Sequence, residues 1–198
     1  MCWSPKAIPP YSITIGCVAR FVPEKGYDVL FEAFRLLAQQ VPAEIWANVT
    51  VILVGEGATL HNAEFRALAH SSALNGGARL LALGRRADVQ RVLRCLDVFV
   101  LPSVSEAFPN ALIEAMATGV PCIATDVGQV ADVLDGTSWL ARPNSPADLA
   151  ALLGACLRLE RAERKEIGER GRARVSVKYS LARMVSEFDQ MFRTAGTS

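Results

Sequence analysis

Glu106 and Glu114 are the first residues whose types and spacing could do chemistry. Both fall in the stretch LPSVSEAFPNALIEAMATGVPCIATDVG, from Leu101 to Gly128. The apolar run Val98 to Leu101 ends just before Glu106, which places that carboxylate in a loop after a strand. Glu114 falls inside a helix that starts at Pro109, because the first helical turn has no use for the amide hydrogen that proline lacks. On that helix Asn110, Glu114 and Thr118 lie four residues apart and share one face. Read alone, the carboxylates fit a general acid/base pair. The polar stripe also fits a solvated face, but the positions around it from Ala111 to Ala117 are apolar, which predicts a helix otherwise wrapped by core.

Cations come next. Arg20 and Lys25 fall between a β-branched run, Ser12 to Ala19, and a helical pattern from Tyr27 to Gln40 in which Tyr27, Leu30, Phe31, Phe34 and Leu37 repeat at helical spacing. They therefore sit in a loop from a strand's carboxyl end to a helix N-terminus, where anionic ligands bind in parallel sheets; two ordinary surface cations would look the same. Gly55 and Gly57 follow the strand Val49 to Val54 and let backbone approach a ligand. They are a weak signal, since Leu60 stands where a dinucleotide fingerprint has its third glycine, and such glycines equally often only make the turn. Cations suited to a diphosphate, and carboxylates suited to sugar or ribose hydroxyls, describe a nucleotide-sugar site. The sequence has no GxSxG, P-loop or HExxH motif, and His61 and His70 read as one helix remote from these loops, which argues against histidine-based nucleophilic or metal chemistry.

The elements that must position these residues alternate. Further strands are expected at Ala78 to Leu83, Asp97 to Leu101, Pro121 to Ala124 and the segment SWLA, with helices after Asp88, Pro109 and Gly128. This alternation predicts an α/β fold, a Rossmann-like parallel sheet with helices on both faces and the ligand loops along one edge. Residues 1–11 read as a linker-like lead-in, 12–142 as the core, and 143–198 as C-terminal helices completing the same domain. Ser145 should cap PADLAALLGACL; Arg161 to Val177 alternates in charge and reads as an exposed helix; Ser180 should cap a last amphipathic helix carrying Leu181, Met184, Val185, Phe188 and Met191.

Composition sets bounds. The 198 residues are 51% hydrophobic, enough for a substantial core, and the net charge of +1 gives no electrostatic case for nucleic acid. The five cysteines show no paired or metal spacing and read as reduced thiols. Neither a membrane-spanning run nor a signal peptide is evident, so the chain reads as soluble and cytoplasmic.

The segments VARFVPEKGYDVLFEAF, VILVGEG, DVFVLPSVSEAFPNALIEAMATGVPCIATDVG, SPADLA and YSLARMV together resemble the carboxy-terminal half of the group 1 (family 4) retaining glycosyltransferases, enzymes with two Rossmann-like domains (GT-B). The likeness runs from about Ile13 to Phe192. Its most specific part is EAFPNALIE, two glutamates with seven residues between them. In that family this half binds the nucleotide-sugar donor. The resemblance implies that Arg20 and Lys25 contact the donor diphosphate, that Glu106 positions donor-sugar hydroxyls, that amides around Phe108, Pro109 and Asn110 hold sugar or phosphate, that Glu114 holds the ribose, and that Arg86 lies beside the base. Glu106, Arg20 and Lys25 then form the catalytic set, and Gly55, Gly57, Arg86, Phe108, Pro109, Asn110 and Glu114 the donor-binding set, with no cofactor or essential metal.

The implied reaction is sugar transfer from a nucleoside diphosphate to a hydroxyl with retained configuration. Trp139 departs from the family by standing where its DGxxG turn has glycine. The acceptor domain is also absent, so the chain reads as an inactive fragment that needs that domain or a separate acceptor subunit, and the acceptor could be a lipid-linked sugar at the inner membrane face. Two alternatives stay open at this point: a non-catalytic nucleotide-sugar-binding module, and a sugar-nucleotide epimerase. A nicotinamide oxidoreductase fits least, given the incomplete glycine fingerprint.

Overall fold

The computed structural model describes residues 8–72, 74, 77–180, 183, 185, 189 and 192. Its strands are β1 (Ile13–Val18), β2 (Val49–Val54), β3 (Arg79–Ala82), β4 (Val98–Leu101), β5 (Cys122–Thr125) and β6 (Trp139–Ala141). They form one sheet in the order β3-β2-β1-β4-β5-β6, and all pairings are parallel. Ile13 stands opposite Val49 on one side of β1, and Ile15 opposite Val98 on the other. Strand order therefore reverses between β1 and β4, and in such sheets the crevice beyond the carboxyl ends at that point takes ligands.

The helices are α1 (Tyr27–Gln40), α2 (Ala43–Ala47), α3 (Ala63–Ser71), α4 (Val89–Leu93), α5 (Asn110–Ala117), α6 (Val130–Leu134), α7 (Pro146–Arg158) and α8 (Arg161–Lys178). The strands β2, β4 and β5 are buried at every position because both faces of the sheet are covered there. Val51 and Leu53 pack with Leu30, Phe34, Leu37 and Leu153 in one core layer, whereas Ile52 and Val54 pack with Leu93, Leu112, Met116 and Val133 in the other. The sequence pattern did not signal α2, a short turn of helix whose Trp46 is buried beside Phe34.

Three local expectations are corrected. α8 is not simply an exposed charged helix: Arg164, Gly168, Gly171 and Val175 are buried. Gly168 lies so close to the Gly119 carbonyl that a β-carbon would come within 1.9 Å of its oxygen, so the helix beds its bare backbone on the turn after α5. Arg174 fastens it further, bonding to the carbonyls of Val133 and Asp132 and pairing with Asp135. His61 and His70 do not share a helix. The Asn62 side chain accepts the amides of Glu64 and Phe65 and starts α3 there, leaving His61 on the preceding loop. Finally, α5 is buried only along Leu112, Ala115 and Met116; Ala117 is exposed.

The Ser145 side chain caps α7 by accepting the Asp148 amide, as the sequence suggested. The Ser180 hydroxyl accepts the Arg183 amide at 3.3 Å, as expected of a cap; of the residues expected on the last helix, Leu181, Met184, Phe188 and Met191 lie outside the described residues. No helix among the described residues is long and apolar enough to cross a membrane.

Candidate donor site

The site is assembled by loops that follow β1 and β4. Phe21, Tyr27, Phe31 and Phe65 form an edge-packed aromatic cluster, with Phe21 and Tyr27 centroids 5.3 Å apart, and this cluster roots the β1–α1 loop. The Tyr27 hydroxyl donates to the Ala19 carbonyl at 2.8 Å and so ties the start of the loop to the helix that ends it. Farther along, the Glu24 carbonyl accepts the amides of Val104 (2.9 Å) and Ser105 (3.3 Å), joining the β1–α1 and β4–α5 loops across the switch point.

This junction brings Lys25 and Glu106 together. Lys25 Nζ donates to Glu106 Oε2 at 2.6 Å, a contact between residues 81 positions apart in sequence. Their side chains are 21% and 12% exposed, so the pair is shielded yet reachable from solvent. Ser103 Oγ donates to the same carboxylate oxygen at 3.2 Å, and the Thr125 hydroxyl bonds to the Ser103 carbonyl at 2.5 Å. Glu106 is therefore held by a chain that begins on β5. Gly128, after β5, presses its Cα against the Glu106 carbonyl, and a β-carbon there would lie 1.7 Å from the oxygen.

Asn110 and Glu114 share the exposed face of α5, and Thr118 closes that helix with its hydroxyl on the Ala115 carbonyl. Glu114 forms no hydrogen bond or ion pair with another described residue. Pro109 immediately precedes the helix; its carbonyl accepts the amides of Leu112 and Ile113. The Asn110 amide donates to the Phe108 carbonyl at 3.0 Å, whereas the amides of Glu106, Ala107, Phe108 and Ala111 lack an acceptor among the described residues. The Phe108 ring packs edge-on against Tyr179 at the end of α8, with centroids 6.1 Å apart.

Beyond β1 and β2, Arg20, Gly55, Glu56, Arg85 and Arg86 help line a hollow of about 340 Å³. Gly55 makes the close approach there: a β-carbon would fall 1.8 Å from the Ala19 carbonyl oxygen, so its small size serves loop-to-loop contact. Gly57 sits against Phe21 in the same loop. Arg86 bonds to the Asp88 carboxylate at 2.7 Å and holds that carboxyl below the usual range, mainly through this hydrogen bond. Asp88 precedes α4 as expected, but its side chain serves Arg86 and makes no capping bond. A larger hollow of about 680 Å³, lined by Phe21, Pro23, Tyr27, Asp28, Glu64 and Leu68, contains none of the expected site residues.

Sequence reasoning missed Ser103, Thr125 and Gly128. Ser103 stands three residues before Glu106, and Gly128 ends a strand-loop unit just as Gly55 does, so both signals were present in the sequence. Cys17 lies under the site, but burial pushes its thiol up to about 12, which removes it as a nucleophile at neutral pH. Cys17, Cys122 and Cys156 are buried free thiols, and Cys95 is half-buried. Among the described residues there is no cluster of three or more His, Cys, Asp or Glu side chains able to hold a metal ion.

The family model for glycosyl transferases group 1 matches residues 12–158. The chain belongs to this family. Among curated relatives, a UDP-Gal:alpha-D-GlcNAc-diphosphoundecaprenol alpha-1,3-galactosyltransferase of Escherichia coli is 31% identical over 118 residues, covering 59% of this chain and 28% of the relative. An N-acetyl-alpha-D-glucosaminyl L-malate synthase of Bacillus anthracis is 29% identical over 178 residues, 88% of this chain and 44% of the relative. The chain thus spans less than half the length of these group 1 relatives. Among solved structures, Anabaena HepE in complex with UDP and glucose superposes with a TM-score of 0.77 at 23% identity, covering 92% of this chain and 48% of that one. A C-terminal domain of a group 1 protein from Francisella tularensis superposes with a TM-score of 0.71 at 25% identity, covering 89% and 90%. The fold is therefore one Rossmann-like half of the GT-B architecture.

Proposed function

We propose that this chain is the donor-binding half of a glycosyltransferase that moves a sugar from a nucleoside diphosphate sugar to a hydroxyl acceptor with retained configuration. The observation that carries the reading is the Lys25–Glu106 contact at the switch point of the sheet. A cation and a carboxylate that pair with each other at the switch point match the two ends of a sugar diphosphate. The diphosphate takes Lys25, and sugar hydroxyls take Glu106. Arg20 on the same loop adds charge to the diphosphate, the free amides of Ala107, Phe108 and Ala111 add donors at the start of α5, and Glu114 accepts from ribose hydroxyls. The hollow beside Arg86 takes the base. The HepE neighbour holds UDP and glucose, which supports a nucleoside diphosphate as ligand class.

In the reaction the bond between the anomeric carbon and the diphosphate oxygen breaks, and a bond to the acceptor oxygen forms on the same face as the acceptor hydroxyl passes its proton to the departing diphosphate. Negative charge builds on the departing diphosphate, and Arg20 and Lys25 neutralise it without a metal ion. Glu106 positions the sugar. The second wall of the cleft comes from an acceptor domain, in keeping with the share of the relatives that this chain spans. The isolated chain then binds donor without transferring it. A relative named for a diphosphoundecaprenol-linked sugar supports a lipid-linked acceptor.

A thermal-stability screen of uridine, guanosine and adenosine diphosphate sugars tests this reading, because a ligand that binds only the folded state raises its melting temperature. At least one donor should stabilise the chain, with the effect reduced in E114A. No shift with any of them would sink the proposal.

A further inference from the structure

The opposite edge of the sheet holds a cationic cavity that the donor site does not use. It has a volume of about 560 Å³, is lined by Tyr11, Thr14, Asp97, Arg94, Arg161 and Arg164 among others, and opens where the chain enters β1 and β4. The six residues of β1 separate it from the donor loops by about 20 Å. Arg94 and Arg161 are exposed, whereas Arg164 is only 8% exposed. None of the three forms an ion pair among the described residues.

Arg164 has the strongest need of a partner. Its Nη1 donates to the carbonyls of Leu159 (2.6 Å) and Cys156 (3.4 Å), which holds the α7–α8 turn, but Nε is buried with no hydrogen-bond partner. Neutral carbonyls do not balance the charge of a buried guanidinium, and buried charges are ordinarily paired. The nearby carboxylates make no ion pair with these guanidiniums among the described residues and accept from neutral groups instead. Asp97 Oδ2 accepts both the Thr14 amide (2.9 Å) and the Thr14 hydroxyl (2.8 Å), and Glu160 and Glu163 close the capping box at the start of α8. Three guanidiniums and one carboxylate, Asp97, line the cavity, so its lining carries a net positive charge.

We propose that this cavity binds a phosphate-bearing anion, with Arg161 and Arg94 reaching the phosphate oxygens and the Arg164 charge held beneath them. Guanidinium groups suit phosphate because their donors form a planar fork that can bond two oxygens at once. The phosphate can belong to a soluble metabolite or to a lipid headgroup.

Inorganic phosphate is the probe, titrated while the melting temperature is followed. Because the donor site also attracts phosphate, the comparison is made in an R20A/K25A background, with and without the added pair R94A/R161A. Arg164 is left intact because its carbonyl bonds hold the α7–α8 turn. At ten times the dissociation constant, phosphate should raise the melting temperature by about 3–6 °C in R20A/K25A. The shift should vanish when Arg94 and Arg161 are also replaced. A second arm measures co-sedimentation of the same two proteins with phosphatidylglycerol vesicles and with phosphatidylcholine vesicles. Binding only to the anionic vesicles that is lost with R94A/R161A assigns the phosphate to a lipid; phosphate stabilisation without vesicle binding assigns it to a soluble ligand. A phosphate shift that is absent, or unchanged by R94A/R161A, overturns the proposal.

Discussion

Replacing Gly128 with alanine separates two costs that the structure predicts to be unequal. Gly128 has φ of +54°, and Gly136 provides a control with φ of +72°. Both substitutions place a β-carbon in the left-handed region, which costs about 1–2 kcal/mol, less about 0.4–1 kcal/mol regained from a stiffer unfolded chain. At Gly136 nothing lies within 4 Å of the new carbon, so G136A should cost only that difference. At Gly128 the carbon would sit 1.7 Å from the Glu106 carbonyl oxygen. An ordinary carbon–oxygen contact is about 3.3 Å, so the loop carrying Glu106 must retreat by about 1.6 Å. That movement disturbs the bonds holding Glu106 as well as the turn itself, and the total loss should exceed about 3 kcal/mol. Guanidinium denaturation gives the stabilities, and calorimetric titration with a donor found by the stability screen gives the affinities. G128A should lose at least about tenfold in affinity, equal to about 1.4 kcal/mol, while G136A keeps it. If the two variants agree in stability within about 0.5 kcal/mol and bind equally well, the contact between the β5–α6 loop and Glu106 does not shape the site.

A double-mutant cycle of K25M and E106Q in the donor-free protein should give a coupling of about 1–2 kcal/mol, between the values for exposed and buried ion pairs; additivity would show that the two groups do not pair in solution. G168L should destabilise by more than about 3 kcal/mol in urea, because the Gly119 carbonyl occupies the space, whereas K165A on the exposed side of α8 should change stability by less than about 0.5 kcal/mol. Similar effects at both positions would contradict the packing of α8. A hydrogen bond from the Arg142 guanidinium holds the Asp148 carboxyl below its ordinary value of 3.8 in the folded state. Its stabilising contribution is therefore present above that value and lost as pH falls through the lower folded value. D148N should be less stable than the parent at about pH 7 and approach it at about pH 2, whereas a pH-independent difference in denaturation midpoint would refute the pairing.

Much of this arrangement was readable from local pattern. Tyr27, Leu30, Phe34 and Leu37 announced α1, the unbroken apolar run Val49–Val54 announced a strand covered on both faces, and Arg20, Lys25 and Glu106 were each placeable on loops after strands. That Lys25 and Glu106 touch was not readable. It depends on β4 lying beside β1 while β2 and β3 continue on the other side, a long-range pairing that leaves no local trace. α8 misled for a different reason. Its buried face is made partly of Gly168 and Gly171, which remove surface from water by bringing backbones together and so add little to an apolar stripe. His61 was misplaced because the helical pattern around Phe65 and Leu68 was extended past Asn62, the residue that caps it. Ser103, in a loop, and Thr125, at the end of β5, were overlooked because small hydroxyl residues are common in loops and at strand ends. Their importance lies in which carbonyl and carboxylate they reach.

The claim that loops at the β1–β4 switch point form a diphosphate-sugar clamp is tested most directly by calorimetric titration of uridine diphosphate and its sugars into the parent chain, K25A and E106Q. K25A should weaken both the free diphosphate and the sugar diphosphate, by about tenfold or more for the loss of a charge-assisted contact. E106Q should weaken the sugar diphosphate and leave the free diphosphate bound at least as tightly, because Lys25 is then released from its partner. Equal affinities in all three proteins, or loss of free diphosphate binding in E106Q, would contradict the account.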